Sequence, residues 1–195
     1  MSARGIGATM SDEQERLREA LKKTAVALKE ADVSFALGGG YAGWALGGPE
    51  PEHDVDFLVT EHDVRRAEEA LVASDLTVEH PPEDWLFKVY DGDAMVDVLF
   101  RVAGDPVQTE LMERAQEIEV LSIRMPVLSA TDLLVTKLLA LSEQSCDYGK
   151  VLPSARALRE QVAWDEVRRR TGHNPYATAA LFLLERLDIA PSSSS

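Results

Sequence analysis

The chain has 195 residues, of which 45% are hydrophobic, so it can form one compact domain, or one domain with a small helical appendage. Its formal net charge of −14 disfavours a broad nucleic-acid surface, which would need clustered Lys and Arg, but allows a small basic cleft or a basic protein partner. No apolar run approaches membrane-spanning length, the first residues lack a signal-peptide core, and the single cysteine, Cys146, excludes an internal disulfide, so we expect a cytoplasmic protein without a membrane partner.

The first part of the chain is predicted to form a leader and a scaffold helix. Residues 1–10 are expected to be disordered. Apolar residues recur at helical spacing over Ser11–Ala31, and Ser11 with Gln14 forms a capping-box pattern. This segment is therefore predicted to be an amphipathic helix that covers one face of a sheet. The apolar residues at 33–37 predict a strand after it.

A glycine turn follows this strand. Gly38, Gly39 and Gly40 precede a segment of helical composition at Tyr41–Leu46. Glycines let backbone N–H groups come close to an anion, and a helix N-terminus adds a favourable dipole. The turn therefore predicts a phosphate-binding site that includes Gly39 and Gly40.

Two carboxylates begin the next predicted strand. Alternation in a strand would place Asp54 and Asp56 on the same face, roughly 6.6 Å apart along the chain. Carboxylates at this separation can hold two metal ions about 3.5–4 Å apart. Together with the glycine turn, the pair predicts a site for a metal-bound nucleotide.

A third carboxylate lies in a predicted β-hairpin. After a helix over His62–Ser74 and a strand over Leu76–Glu79, the hairpin consists of Trp85–Tyr90 and Ala94–Arg101. Asp97 stands in the apolar run of the second arm, where a buried carboxylate needs a partner or a metal. It could instead face solvent on an edge strand, but the two upstream carboxylates favour a third metal ligand.

The remainder is predicted to be mostly helical. A helix is expected over Thr109–Glu117 and a last short strand over Val120–Ile123. Four helices are expected after it, over Ala130–Glu143, Pro153–Gln161, Asp165–Arg170 and Pro175–Leu187, and then a disordered tail over 191–195. Lys137 falls within the apolar stripe of the first of these helices. Spacing alone does not decide whether its side chain reaches to solvent along that stripe or points its ammonium at a phosphate in the cleft.

The glycines and the first carboxylates resemble the minimal nucleotidyltransferases of the polymerase-beta-like superfamily. Their pattern is Gly-Gly or Gly-Ser, a spacer of about ten residues, and Asp-apolar-Asp/Glu-apolar. Gly39-Gly40 and Asp54-Val55-Asp56-Phe57 match it. Tyr41-Ala42 and His53 are similar to residues of aminoglycoside nucleotidyltransferases. Those relatives usually carry an Arg just before the His, where this chain has the residues at 50–52, Glu-Pro-Glu.

A second resemblance lies downstream. The sequence DLLVTKLLAL with a following Asp is similar to AbiEii/MenT-type toxin nucleotidyltransferases, in which a Lys of such a helix and a downstream Asp join the active site. Lys137 and Asp147 are at the matching positions. A lone Asp in a polar turn is more often a cap or turn residue.

These resemblances imply an α+β fold of the polymerase-beta-like type, with a small mixed sheet and flanking helices. A nucleotidyltransferase domain is expected over 11–125 and a C-terminal helical subdomain over 126–190. The implied reaction moves an NMP from an NTP, such as ATP, to an acceptor hydroxyl. Asp54 and Asp56 would hold two Mg²⁺ ions, Asp97 would bind the catalytic ion and help to deprotonate the acceptor, and Lys137 would face the leaving pyrophosphate.

The acceptor stays open at this point. A toxin would modify RNA, such as a tRNA 3′ end, and would need a cognate antitoxin protein. An enzyme that modifies an antibiotic would take a cationic aminoglycoside, which suits an acidic surface better. A third alternative is a catalytically inactive module that binds nucleotide or regulates a partner.

Overall fold

The computed structural model describes residues 10–51 and 53–192, and within them it is built from eight helices and two sheets. The helices are α1 (Met10–Glu30), α2 (Gly39–Ala45), α3 (Val64–Ala73), α4 (Thr109–Glu113), α5 (Ala130–Leu139), α6 (Leu152–Leu158), α7 (Trp164–Thr171) and α8 (Pro175–Arg186). Short 3₁₀ turns lie at Glu61–Asp63, Tyr148–Lys150 and Arg159–Gln161. Most of the predicted leader and the last three residues of the predicted tail lie outside the described residues.

The strands form one mixed sheet and one small hairpin. They are β1 (Phe35–Leu37), β2 (Val55–Val59), β3 (Thr77–Glu79), β4 (Leu86–Asp91), β5 (Ala94–Leu99), β6 (Arg101–Val102), β7 (Asp105–Pro106), β8 (Gln116–Val120) and β9 (Ile123–Val127). The large sheet has the order β3-β4-β5-β2-β1-β9-β8, and β6 pairs with β7 separately. The pairs β2–β5 and β1–β9 are parallel, and the other pairs are antiparallel. The α+β class predicted from the sequence is confirmed.

Helix α1 covers the sheet as expected. Its apolar residues Leu17, Leu21, Ala25 and Leu28 recur at intervals of three or four, so they share one helix face, and all four are buried. This face packs mainly on β5. The long helix therefore supports the central strands of the sheet from one side.

The segment after α4 differs from the sequence-based prediction. The helix predicted over Thr109–Glu117 ends at Glu113, and β8 begins at Gln116. The strand predicted over Val120–Ile123 is wrong, because Val120 ends β8, Ile123 begins β9, and Leu121 and Ser122 form the turn between them with φ of 50° and 67°. Because left-handed backbone is uncommon for such residues, the sequence carries no ordinary turn signal there.

Side-chain caps begin two of the C-terminal helices, α5 and α8. The Ser129 hydroxyl accepts a hydrogen bond from the Asp132 N–H at 3.1 Å, and the Asn174 side chain accepts from the N–H groups of Tyr176 and Ala177. Helix α5 ends at Leu139, earlier than predicted. Strand β9 reaches two residues into the segment expected to be all helical. Buried residues of both predicted domains belong to one hydrophobic cluster, and their division stays a prediction.

Helix α5 is anchored by a buried carboxylate. Asp132 is only 2% exposed and accepts hydrogen bonds from Arg114 at 2.8 Å, Arg170 at 2.7 Å and the Ser129 hydroxyl at 2.7 Å. Burial works to raise the pKa of Asp132, but these bonds outweigh it and hold the pKa below its usual value. The cluster ties α4 and α7 to the start of the helix that carries Lys137. In the described part of the chain, no helix is long and apolar enough to cross a membrane.

Candidate active site

Two of the predicted site residues lie side by side on neighbouring strands. Asp56 of β2 and Asp97 of β5 are register partners in the parallel pair. Partners on adjacent strands share one face of the sheet, with backbones roughly 4.8 Å apart. The fold thus brings together two carboxylates that are 41 positions apart in the sequence.

Asp54 also lies near this pair, but it is not part of strand β2 as the sequence predicts. Strand β2 begins at Val55, and Asp54 before it is exposed with φ of 64°. The alternation that would place Asp54 and Asp56 on one face therefore does not extend to Asp54. Asp is one of the residues that tolerate this left-handed backbone. The Asp54 charge still raises the pKa of Asp56, so its carboxylate lies within electrostatic range.

We refer to Asp54, Asp56 and Asp97 as the acidic centre. The pKa of Asp56 is raised to about 6, first by burial of its carboxyl group and then by the charges of Asp97 and Asp54. Lys137 and Lys88 oppose this shift. The Asp56 carboxylate is therefore enclosed, and the charges of four neighbouring side chains shift its pKa.

The glycine turn is packed directly on Asp56. Gly39 has φ of 56°, and a Cβ at this position would lie 1.7 Å from Oδ2 of Asp56. The Gly38 N–H donates to the Asp56 carbonyl at 2.8 Å, which fixes the turn on β2. A Cβ on Gly40 would lie 2.8 Å from Cβ of Pro51. Gly39 and Gly40 therefore allow a close approach to Asp56 and Pro51 that a Cβ would obstruct. Their predicted phosphate-binding role stays a prediction.

Lys137 lies near the acidic centre. It is half-buried on α5, which packs against α2. Burial lowers the pKa of Lys137, and the neighbouring Asp56 carboxylate opposes this shift. Of the two interpretations of Lys137, this placement favours the one in which the ammonium points into the site.

Asp147 has a structural task of its own. It is exposed, and its carboxylate accepts the Gly149 N–H at 2.9 Å, which caps the 3₁₀ turn at Tyr148–Lys150. This is the turn role that a lone Asp usually has. Its part in nucleotide binding stays a prediction from the toxin resemblance.

Lys88 is a further residue of the site, which the sequence-based prediction does not include. Its ammonium donates to Oδ1 of Asp97 at 2.9 Å and contacts Sδ of Met95 at 3.2 Å. Burial works to lower the pKa of Lys88, but the hydrogen bond to Asp97 and the nearby negative charges, that of Asp97 first, together outweigh it, and the pKa is raised. The hairpin register indicates this contact, because a turn that pairs Asp91 with Ala94 also places Lys88 opposite Asp97.

The acidic residue Glu50, which precedes His53 in the chain, is paired with an arginine of helix α1. Glu50 accepts two hydrogen bonds from the Arg18 guanidinium, at 2.8 and 2.7 Å. The Tyr41 hydroxyl is buried, and burial followed by the Glu50 charge raises the pKa of Tyr41. Arg18, which reaches this segment from the scaffold helix, is therefore already paired with a carboxylate.

Carboxylates of this kind suit a divalent ion. Mg²⁺ prefers oxygen ligands and is usually held by one or two carboxylates together with substrate phosphates. Asp54 and Asp56 fit this requirement chemically. Among the described residues, however, no group of three or more His, Cys, Asp or Glu side chains is arranged to hold a metal ion. A metal site formed by all three carboxylates therefore stays a prediction.

Two cavities bear on what else could bind. One of about 240 Å³ adjoins the acidic centre, and its lining includes Asp54, Glu13, Asp93 and Arg16. Another of about 580 Å³ lies between the β6–α4 segment and helices α5 and α7. None of the acidic-centre residues line the second cavity, so the smaller cavity is the one beside the candidate chemistry.

The comparisons with known proteins identify a family and similar folds. Residues 17–170 match the family described as nucleotidyl transferase of unknown function (DUF2204). Comparison with curated proteins gives no match. The solution structure of the antibiotic-resistance factor ANT(2″)-Ia is similar, with a TM-score of 0.59 and 14% identity over 87% of this chain and 97% of that chain.

The crystal structure of ANT(2″)-Ia in complex with adenylyl-2″-tobramycin is also similar. Its TM-score is 0.55, with 13% identity over 83% of this chain and 97% of that chain. At these identities the likeness shows the fold, and it confirms the predicted polymerase-beta-like nucleotidyltransferase architecture. The family match covers most of the chain, including every residue of the acidic centre. The chain therefore belongs to this family of nucleotidyl transferases, and the predicted enzyme class is confirmed.

Proposed function

We propose that the chain is a Mg²⁺-dependent enzyme that transfers an NMP from an NTP to an acceptor hydroxyl at the acidic centre. The observation that carries this proposal is the pairing of Asp56 with Asp97 on adjacent strands under the Gly39 turn. Like-charged carboxylates in an enclosed place repel one another. The Lys88 ammonium is hydrogen-bonded to Asp97, so a further cation would be needed to offset the charges of Asp54 and Asp56. Asp54 and Asp56 would hold a Mg²⁺ ion, which would supply that charge and bind the triphosphate of the NTP.

Each part of the site then has a task. Asp54 and Asp56 hold the Mg²⁺ that neutralises the triphosphate. Gly39 and Gly40 offer backbone N–H groups to the phosphates, since no side chain stands in the way. Lys137, close to Asp56, offsets the charge on the departing pyrophosphate. The sequence-based expectation is two Mg²⁺ ions.

The transfer itself is an in-line displacement. Asp97 accepts the proton of the acceptor hydroxyl, and the hydroxyl oxygen forms a bond to the α-phosphorus. The bond from the α-phosphorus to the bridging oxygen breaks at the same time, and pyrophosphate leaves. The partners of Asp97 support this role, because its register neighbours are Asp56, the proposed Mg²⁺ ligand, on one side and Lys88 on the other.

The acceptor favoured by the structure is a small molecule that carries amino groups. The cavity beside Asp54 is lined by two further carboxylates, Glu13 and Asp93, against the one guanidinium of Arg16. Such a lining attracts a cation, and the net charge of −14 acts in the same direction. The similar protein ANT(2″)-Ia is described in complex with adenylyl-2″-tobramycin, so an aminoglycoside is the natural first substrate to test.

RNA is the second candidate. Lys137 stands at the position that matches AbiEii/MenT-type toxins and lies near Asp56. In that case the acceptor would be a tRNA 3′ end and an antitoxin would be the partner, with Asp147 as a further nucleotide contact. An inactive module is the third candidate, and the acidic centre next to the glycine turn argues against it.

The decisive experiment supplies all four α-³²P-labelled NTPs with Mg²⁺ to the full chain. The acceptors are a panel of aminoglycosides in one series and total RNA with tRNA in the other. Label on an aminoglycoside supports the favoured acceptor, and label on the tRNA 3′ end supports the toxin candidate. Absence of transfer in both series, together with no nucleotide-dependent rise in melting temperature, would support the inactive module instead.

A further inference from the structure

The contact between Lys88 and Asp97 has a consequence for the metal content of the site. We propose that the Lys88 ammonium is a built-in cation of the acidic centre, which occupies the place beside Asp97 where a second metal ion would bind. The centre then binds one metal ion, at Asp54 and Asp56. This inference rests on the proposed nucleotidyl transfer at the same residues.

The geometry fixes the ammonium against Asp97. Lys88 and Asp97 are directly opposite each other in the antiparallel β4–β5 pair, so their side chains rise from the same face of the sheet. The Nζ–Oδ1 distance is 2.9 Å, and the two side chains are only 26% and 19% exposed. The thioether of Met95 contacts the same ammonium at 3.2 Å. The pair is therefore held by the strand register and by a close neighbour as well as by charge.

The ammonium also acts on the rest of the centre. Lys88 lowers the pKa of Asp56, as Lys137 does, so its charge reaches the carboxylate on the next strand. A dication that bridged Asp97 and Asp56 would have to bind next to this positive charge and share an oxygen that already accepts a hydrogen bond. Both conditions weaken a second metal site.

The carboxylates of the acidic centre then have different chemical roles. Oδ1 of Asp97 accepts the bond from Lys88, which leaves Oδ2 for the acceptor hydroxyl. Asp97 then serves as the proton acceptor and is held in position by Lys88, without being a metal ligand. The expectation of two Mg²⁺ ions, with Asp97 as the third ligand, is revised to one ion.

The test counts bound Mn²⁺. The full chain is titrated with Mn²⁺, alone and with inorganic tripolyphosphate as a mimic of the triphosphate common to all NTPs, and free Mn²⁺ is measured by electron paramagnetic resonance. We expect one Mn²⁺ per wild-type chain. In Lys88→Met, which keeps the apolar stem and removes the charge, we expect a second Mn²⁺, or affinity at least about tenfold higher.

Two controls accompany this measurement. Lys88→Arg keeps a positive charge opposite Asp97 and should still bind one Mn²⁺. Lys23→Met removes an ammonium that pairs with Asp91 at the same 2.9 Å distance, away from the centre, and should leave Mn²⁺ binding as in the wild type. If Lys88→Met does not fold cooperatively, Lys88→Gln replaces it.

The outcomes separate the two proposals. Two Mn²⁺ ions in the wild type would overturn the role of Lys88 whatever the variants do, and so would unchanged Mn²⁺ binding after the ammonium is removed. In both cases nucleotidyl transfer at the acidic centre would still stand. Absence of Mn²⁺ binding in every protein, with and without tripolyphosphate, would overturn both proposals.

Discussion

Gly39 lies directly on the carboxylate of Asp56, so closely that a Cβ at position 39 would come within 1.7 Å of Oδ2 and 3.0 Å of Cβ of that aspartate. This contact joins the two halves of the sequence motif in space. The turn needs a glycine both because φ is 56° and because no atom fits between the backbone and the carboxylate. A side chain at position 39 would therefore displace the Asp56 carboxylate.

The first prediction uses this contact. Gly39→Ala should force the Asp56 carboxylate to turn away and reduce transfer at least about 100-fold, because misplacement of a reacting group by an ångström is that costly. Gly92→Ala is the matched control, since Gly92 has φ of 62° and nothing within 4 Å of an added Cβ. Both variants should lose about 1–2 kcal/mol in the free energy of unfolding from the left-handed backbone. Equal transfer rates in the two variants would contradict the role of the contact.

The second prediction concerns pH and the Asp56 carboxyl group. Its pKa in the folded protein is raised to about 6 from the ordinary 3.8, so its contribution to stability is fully present below pH 3.8 and is lost as the pH rises through 6. In EDTA, Asp56→Asn should therefore become more stable than the wild type over this range, by up to about 3 kcal/mol above pH 6. Urea unfolding at a series of pH values measures the difference. A constant difference between the two proteins would contradict it.

The third prediction concerns Lys137. Lys137→Met keeps the apolar stem and the helix while it removes the charge, so stability should hold and affinity for Mg²⁺-bound NTP should fall by about 1.5–3 kcal/mol. Lys137→Arg should restore binding only in part, because a planar guanidinium does not replace a compact ammonium. Lys22→Met, on the exposed part of α1, is the control. Unchanged nucleotide affinity and turnover in Lys137→Met would mean that the side chain only packs.

The fourth prediction concerns the buried Asp132. Asp132→Ala leaves Arg114 and Arg170 without their shared carboxylate and should lower the free energy of unfolding at pH 7 by about 3–5 kcal/mol. Asp165→Ala, which removes the exposed partner of Arg168, should change it by less than about 1 kcal/mol. Because the pKa of Asp132 is held low, its contribution is present above pH 3.8 and is lost as the pH falls through the folded value. Similar urea midpoints for the two variants would show that the cluster is not stabilising.

Some of these residues could be found from the sequence because local patterns determine them. The stripe of α1, the caps at Ser129 and Asn174 and the β4–β5 hairpin each follow from a periodicity or a known cap chemistry. The carboxylate motif was recognisable for the same reason, since Gly39 and Asp56 are close in both sequence and space. Asp97 could be proposed because one charge in an apolar strand needs a partner.

Other features depend on long-range contacts or on left-handed backbone conformations, which no local sequence pattern indicates. The β8–β9 hairpin turns at Leu121 and Ser122, which lack the Asn-Gly or Asp-Gly pattern typical of such left-handed turns, so the sequence predicts a helix and a short strand there. Asp54 adopts a left-handed backbone before β2, so strand alternation did not apply to it. Lys88 was overlooked because its role appears only when the hairpin register is carried through to Asp97.

If Asp56 is essential to a Mg²⁺-dependent transfer site, transfer must depend on both Asp56 and the metal. The most direct measurement of this follows α-³²P label from NTP to acceptor. Wild type, Asp56→Asn and wild type with EDTA are compared with the acceptor that takes label best. We predict transfer in the wild type only, with Asp56→Asn folded and at least as heat-stable as the wild type without metal. Full transfer by Asp56→Asn, or transfer by the wild type that is undiminished in EDTA, would contradict the account.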